Sequence, residues 1–137
     1  MYRSIFLVSL VLNVITCLAQ DTKKRQDEDT SWHEHSISID SLIATPERYH
    51  GKKIQIAGYL NLEFEGNAIY LHKEDREKGL IENGFWVSFS DKLNKKEIQA
   101  LNKSYVLIEG KFDMNSHGHR GMFGGEIKNI KRIIKWH

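Results

Sequence analysis

The chain carries one cysteine, little net charge and no long apolar run, and each shortage removes a class of function. The lone cysteine is Cys17, inside an apolar N-terminal stretch. Disulfides, thiol nucleophiles and cysteine-based zinc sites are therefore excluded from everything downstream. A formal charge of +2 over 137 residues lacks the electrostatic footprint of a general nucleic-acid binder. There is no nucleophile elbow, Walker loop or HExxH motif. The glycine-rich stretch 121–125 leads into a strand rather than a helix, so it lacks the dipole of a phosphate cradle. Glu63, Glu65, Glu74 and Asp75 cluster near a hairpin, a surface pattern too common to define an acid–base pair. There is no internal repeat or low-complexity tract, and the length bounds the chain to one domain.

What is present begins with an address. Arg3 gives a short positive start, residues 5–14 are almost purely apolar, and Cys17-Leu18-Ala19 precedes Gln20. This is the pattern of a secretory signal cleaved after Ala19. The apolar segment is short for a membrane span of about 20 residues, and Ser9, Asn13 and Thr16 interrupt it. Val14-Ile15-Thr16-Cys17 also resembles a lipobox, and a lipid on Cys17 would be the one route to a membrane. The expected location is the periplasm or the exterior. Loss of Arg3 with the signal lowers the formal charge to +1. Residues 20–36 read as a polar, flexible leader and 37–137 as the folded domain.

The domain is organised around residues 52–73. Ile54, Ile56, Leu60, Leu62 and Phe64 alternate with polar neighbours, the mark of a strand with one buried face. Gly58 sits mid-strand, where a missing side chain permits close approach or sharp coiling. Glu65-Gly66-Asn67 supplies a turn, with Gly and Asn suited to positive φ. Upstream, Ile37 and Ile39 suggest a short edge strand, Asp40 a helix cap, and Thr45-Pro46-Glu47 a second helical start. Gly51 closes that segment. Downstream, residues 74–83 form a loop with a helical turn, and Phe85, Val87 and Phe89 mark a third strand. Asn94 and Glu97 form a capping box, with Leu93 stapled to Ile98. Residues 105–113 give a fourth strand and 121–134 a fifth, bulged near Asn129. The fold class is mainly β: a five-stranded OB barrel with its helix between the third and fourth strands and a short N-terminal helical segment.

Ser41-Leu42-Ile43, residues 46–54, Gly58, residues 62–72 and residues 105–110 resemble small exported bacterial OB-fold domains, relatives of the group called tRNA-anticodon-binding-like. The resemblance spans residues 37–133. It implies the barrel and assigns no activity, cofactor or functional residue.

OB barrels bind on the outer face of strands two and three. That face would present Tyr70, His72, Trp86 and Ser88, with Tyr59 and Asn61 from the neighbouring strand. Aromatic rings beside polar groups could stack on sugars, bases or peptide side chains. The competing expectation is that Tyr70 and Trp86 are cross-strand partners covered by the N-terminal segment or the 74–83 loop. His33 and His35, and His117 and His119, form two His-x-His pairs able to offer two metal ligands each, but exposed polar histidines are the commoner explanation. No cofactor is expected. The leading expectation is a non-enzymatic module for a peptide, protein or glycan of the envelope. Single-stranded nucleic acid, bound with help from Lys128, Lys131 and Arg132, is the alternative, and metal binding a third.

Overall fold

The computed structural model describes residues 36–137. The expected signal peptide, nearly all of the leader, Cys17, His33 and His35 lie outside the described residues. Five strands, β1 (Lys53–Asn61), β2 (Ala68–Tyr70), β3 (Gly84–Phe89), β4 (Ser104–Asp113) and β5 (Glu126–Lys135), are accompanied by three short helices, α1 (Ile39–Ala44), α2 (Lys73–Glu77) and α3 (Lys95–Ala100). The strands close into a barrel in the order β1-β2-β3-β5-β4. β1 serves two neighbours, with Tyr59 opposite both Tyr70 on β2 and Tyr105 on β4. The β3–β5 pairing that closes the barrel is parallel; the other pairings are antiparallel. With α3 between β3 and β4, this is the OB arrangement that the order of elements predicted.

The inward residues make the barrel. Ile54, Ile56 and Leu60 of β1 meet Ile69, Phe85, Val87, Ile108, Phe112, Ile127 and Ile130, all nearly sealed from solvent. Each such burial contributes about 1.5–3 kcal/mol, and Phe85 meets Phe112 edge to face at 5.6 Å. At Gly58 a Cβ would lie 2.6 Å from both the Ile39 side chain and the Tyr70 carbonyl oxygen, so α1 and β2 approach only because that side chain is missing. Asn129 takes φ 52°, and the registers of β5 against β3 and β4 both shift beside it. The extra residue is the expected bulge.

α3 forms as its sequence dictates. Asn94 Oδ1 accepts from the Lys96 N–H at 2.9 Å, Asn94 Nδ2 donates to Glu97 at 3.3 Å, and Leu93 and Ile98 pack on the core. Six local expectations change. Ile37 donates to the Gln55 carbonyl at 3.0 Å beside an isolated Ser36–Gln55 bridge instead of forming an edge strand, and Ser38, not Asp40, caps α1. Residues 73–77 form a true helix. β5 begins at Glu126, after a loop, rather than at residue 121. Phe64 is 93% exposed instead of inward. Two residues earlier, Leu62 is held on both backbone groups: Asn102 Oδ1 accepts its N–H at 2.7 Å and Asn102 Nδ2 donates to its C=O at 3.0 Å. Beyond it the chain turns, and Glu65, not Gly66 or Asn67, takes the positive φ.

Candidate functional site

On the outer face of β2 and β3 the candidate platform residues come together but are covered. Tyr70 is 2% exposed, its ring lying over Gly84 directly across the ladder. A Cβ at Gly84 would sit 2.5 Å from that ring, so the glycine makes the room the tyrosine fills. Burial pushes the Tyr70 hydroxyl above its usual pKa, opposed by the nearby Arg76 charge. Trp86 is half-buried. Phe123, from the loop joining β4 to β5, meets its indole edge-on at 5.4 Å and 67°. Gly118 of the same loop lies flat on the indole, where a Cβ would come within 2.6 Å of the ring. Tyr70, Ala68 and Phe123, with Ile81 and Trp86, form a second apolar cluster outside the barrel. Among the described residues the cover over Trp86 is thus the β4–β5 loop, while Ile81 of the 74–83 segment packs on the same cluster.

The remaining candidates occupy separate places. Tyr59, 6% exposed, packs edge-on against Tyr105 at 5.6 Å. Asn61 is 5% exposed, and its Nδ2 has no hydrogen-bond partner among the described residues. His72 is exposed and leads into α2, where its N–H donates to Asp75 Oδ2 at 3.0 Å. Ser88 donates to Glu126 Oε1 at 2.6 Å, and Ser116 donates to the other oxygen of the same carboxylate. His117 Nδ1 lies 2.8 Å from the Phe123 carbonyl, while His119 Nε2 is 3.1 Å from Glu65 Oε2, bridging the β4–β5 loop to the β1–β2 turn. Among the described residues no three histidines or carboxylates gather to hold a metal.

The basic residues of β5 are partly engaged. Lys128 donates to Asp113 at 2.8 Å and Arg132 to the buried Glu109 at 2.9 Å, where Gln55 also donates at 2.7 Å. The Lys128 ammonium, with the Asn115 N–H, holds the Asp113 carboxyl below its ordinary range.

One open concavity adjoins this face, a groove of about 400 Å³. It runs between β3, the β1–β2 turn and α3. Leu62, Val87, Phe89, Leu93 and Ile98 give its apolar surface, and Asn67, Ser88, Ser90, Asp91, Lys95 and Gln99 its polar one. Trp86 and Ser88 were expected at a site and line this groove; the contributions of Leu62, Leu93, Ile98 and Gln99 were not. Leu93 and Ile98 are legible as a staple, and the groove follows only once α3 is set beside β3.

No protein-family model matches the chain, and no curated protein does. Among solved structures it is similar to a chain described as an aspartyl-tRNA synthetase from Leishmania major Friedlin, with a TM-score of 0.45 and 14% identity over 73% of this chain. It spans 20% of that synthetase chain. Two OBody proteins bound to hen egg-white lysozyme are also similar, AM3L09 (TM-score 0.42, 17% identity, 66% of this chain and 86% of that one) and AM3L15 (0.40, 17%, 66% and 85%). The OB-like reading rests on the strand order and pairing of this chain, not on these likenesses.

Proposed function

We propose that the chain is an exported, non-enzymatic binding module for a peptide, protein segment or glycan of the cell envelope. The observation that carries this reading is the groove beside β3, apolar at its floor and polar at its rim, of the size that small ligand sites occupy. Export is supported by the signal pattern of residues 1–19. The non-enzymatic reading is supported by the absence of catalytic motifs from the sequence and by the bonding of Ser88. That hydroxyl donates to Glu126, a carboxylate already taken by a second serine, which leaves it a poor base for activating either one. Nucleic acid is the less favoured ligand, because Tyr70 is sealed, Trp86 is half-covered by Phe123 and Gly118, and Lys128 and Arg132 are ion-paired.

Capture from an envelope extract tests the reading, with the full chain compared against Gln99→Trp, which fills the groove from an exposed helix position. A ligand retained by the parent and lost by the variant supports it; equal recovery by both would place binding elsewhere. N-terminal sequencing of the native protein tests export, and a retained Met1 would refute it. Titration with single-stranded oligonucleotides at two salt concentrations tests the alternative, which requires binding that weakens with salt.

A further inference from the structure

The groove occupies the place where β2 would continue if it were longer. β2 pairs with β3 at Ala68–Trp86, Ile69–Phe85 and Tyr70–Gly84, and one further bond follows, from Val87 N–H to the Asn67 carbonyl at 3.1 Å. β3 itself runs on to Phe89, so no residue of β2 stands opposite Ser88 or Phe89. The direction of the amides in this stretch is fixed. Trp86 and Ser90 donate to β5 residues or their flank, Gly125 and Ile130, at 2.9 and 3.0 Å, whereas Val87 donates toward β2. Successive amides alternate between the two edges of a strand, so Phe89 turns its N–H and C=O to the β2 side, into the groove. The extra residue at the β3–β5 register shift falls on β5, between Ile127 and Ile130, so β3 keeps its alternation across Ser88.

The geometry points to an extended peptide as the occupant, added to β3 as a strand in the place of the missing part of β2. This deepens the binding-module reading and rests on it. The Phe89 N–H and C=O form a donor–acceptor pair on an open strand edge that another extended backbone can match, and this mode of recognition takes its affinity from main-chain bonds and its specificity from alternate side chains. Ser88, Phe89 and Ser90 offer room for about three residues, roughly 10 Å of strand. On the groove floor Leu62, Leu93 and Ile98 form a seat for one apolar side chain. Asp91 and Lys95 stand at the rim with opposite charges, which suits a peptide with an apolar anchor between polar neighbours and no strong net charge.

The probe is a set of linear peptides selected on the full chain from a random display library. Each selected peptide is then remade with single backbone N-methyl groups at successive positions. Strand addition predicts an alternating pattern: methylation of an amide facing β3 weakens binding about tenfold or more, the loss of one hydrogen bond plus a clash, while its neighbours tolerate it. Gln99→Trp should abolish binding with an unchanged melting temperature. Peptides that bind through the groove but tolerate every methylation would overturn strand addition and leave the binding module standing. So would the recovery of an envelope glycan, or of a second copy of this chain in sedimentation, as the groove's occupant in place of any peptide. Peptide binding unaffected by Gln99→Trp would remove the groove as the peptide site. Failure to recover peptides together with failure to capture anything from the envelope would defeat both readings.

Discussion

The two halves of β3 lie one residue apart and differ completely in what closes them. Around Trp86 the strand is paired on both edges, and the β4–β5 loop covers its outer face with Phe123 and Gly118. Past Val87 the β2 edge stops, and the strand borders an open groove. The first half is closed by aromatic burial and by a glycine at φ 62°; the second stays open because β2 is only three residues long. A face made for ligands in many OB barrels has here been absorbed into the fold, and the concavity has moved to the strand's edge. Enclosure, not residue type, separates a packed aromatic from a platform.

The largest test of that contrast sets Phe85 against Trp86. Phe85→Ala removes a sealed barrel residue and should cost about 3–5 kcal/mol, while Trp86→Ala, half-buried under a loop, should cost about 2 kcal/mol. Thermal melts run side by side measure both. A near-native melt for Trp86→Ala would mean that the loop does not enclose the indole, and the comparison would collapse.

A smaller effect is expected from the loop itself. Gly118→Ala places a Cβ against the Trp86 ring and forces a non-glycine residue to φ 62° with ψ −155°, which should cost about 1–3 kcal/mol. The loop can relieve that by lifting, so acrylamide should quench Trp86 more readily, read in a Trp32→Phe/Trp136→Phe background. The groove half of β3 should be untouched, so the peptides that define the edge site should bind as before. Loss of their binding would show the halves to be coupled.

Tyr70 sharpens the same contrast through pH. Burial raises its pKa above the ordinary value of about 10. A group whose folded pKa is raised contributes stability that is fully present below the unfolded value and is lost as pH rises through the folded one. Tyr70→Phe should therefore melt nearly like the parent at neutral pH and resist alkaline unfolding better above about pH 10. Parallel alkaline losses in parent and variant would show that the hydroxyl is solvated and the face open.

The sequence carried what short-range physics decides. Alternation through Ile54, Ile56 and Leu60 survives because those side chains are sealed in the barrel, although Gln55, Tyr59 and Asn61 on the other face are buried too, and α3 is written in Asn94, Glu97, Leu93 and Ile98. Alternation failed where a distant side chain intervened: Asn102 binds both backbone groups of Leu62, and the chain leaves the strand before Phe64. The end of β2 was equally hidden. Leu71 and His72 prolong the apolar–polar pattern, but Asp75 takes the His72 N–H and starts a helix. The cover over Trp86 comes from Gly118 and Phe123, more than thirty residues downstream in the chain, a contact that no local pattern encodes. The candidate face was legible as a face; its enclosure and the groove beside it were not.

The smallest expected effect concerns what holds the loop down. His119 meets Glu65 at 3.1 Å, joining the β4–β5 loop to the β1–β2 turn, and Arg120 Nε lies 3.2 Å from the same imidazole nitrogen. Both partners are well exposed, at 36% and 44%. Exposed pairs of this kind contribute about 0–1 kcal/mol, because water screens the charges and two side chains must be ordered. The Trp86–Phe123–Gly118 contact is apolar and partly dry, so it should outweigh the His119–Glu65 contact in closing the face. Glu65→Gln should then shift the melt by only a few tenths of a kcal/mol, with amide exchange across residues 116–122 close to that of the parent. Gly118→Ala should accelerate the same amides strongly. Were the order reversed, with Glu65→Gln freeing the loop and Gly118→Ala leaving it in place, the closed half of β3 would be held by charge. Its cover would then respond to salt, and the division between a packed half and an open half would become a matter of conditions instead of sequence.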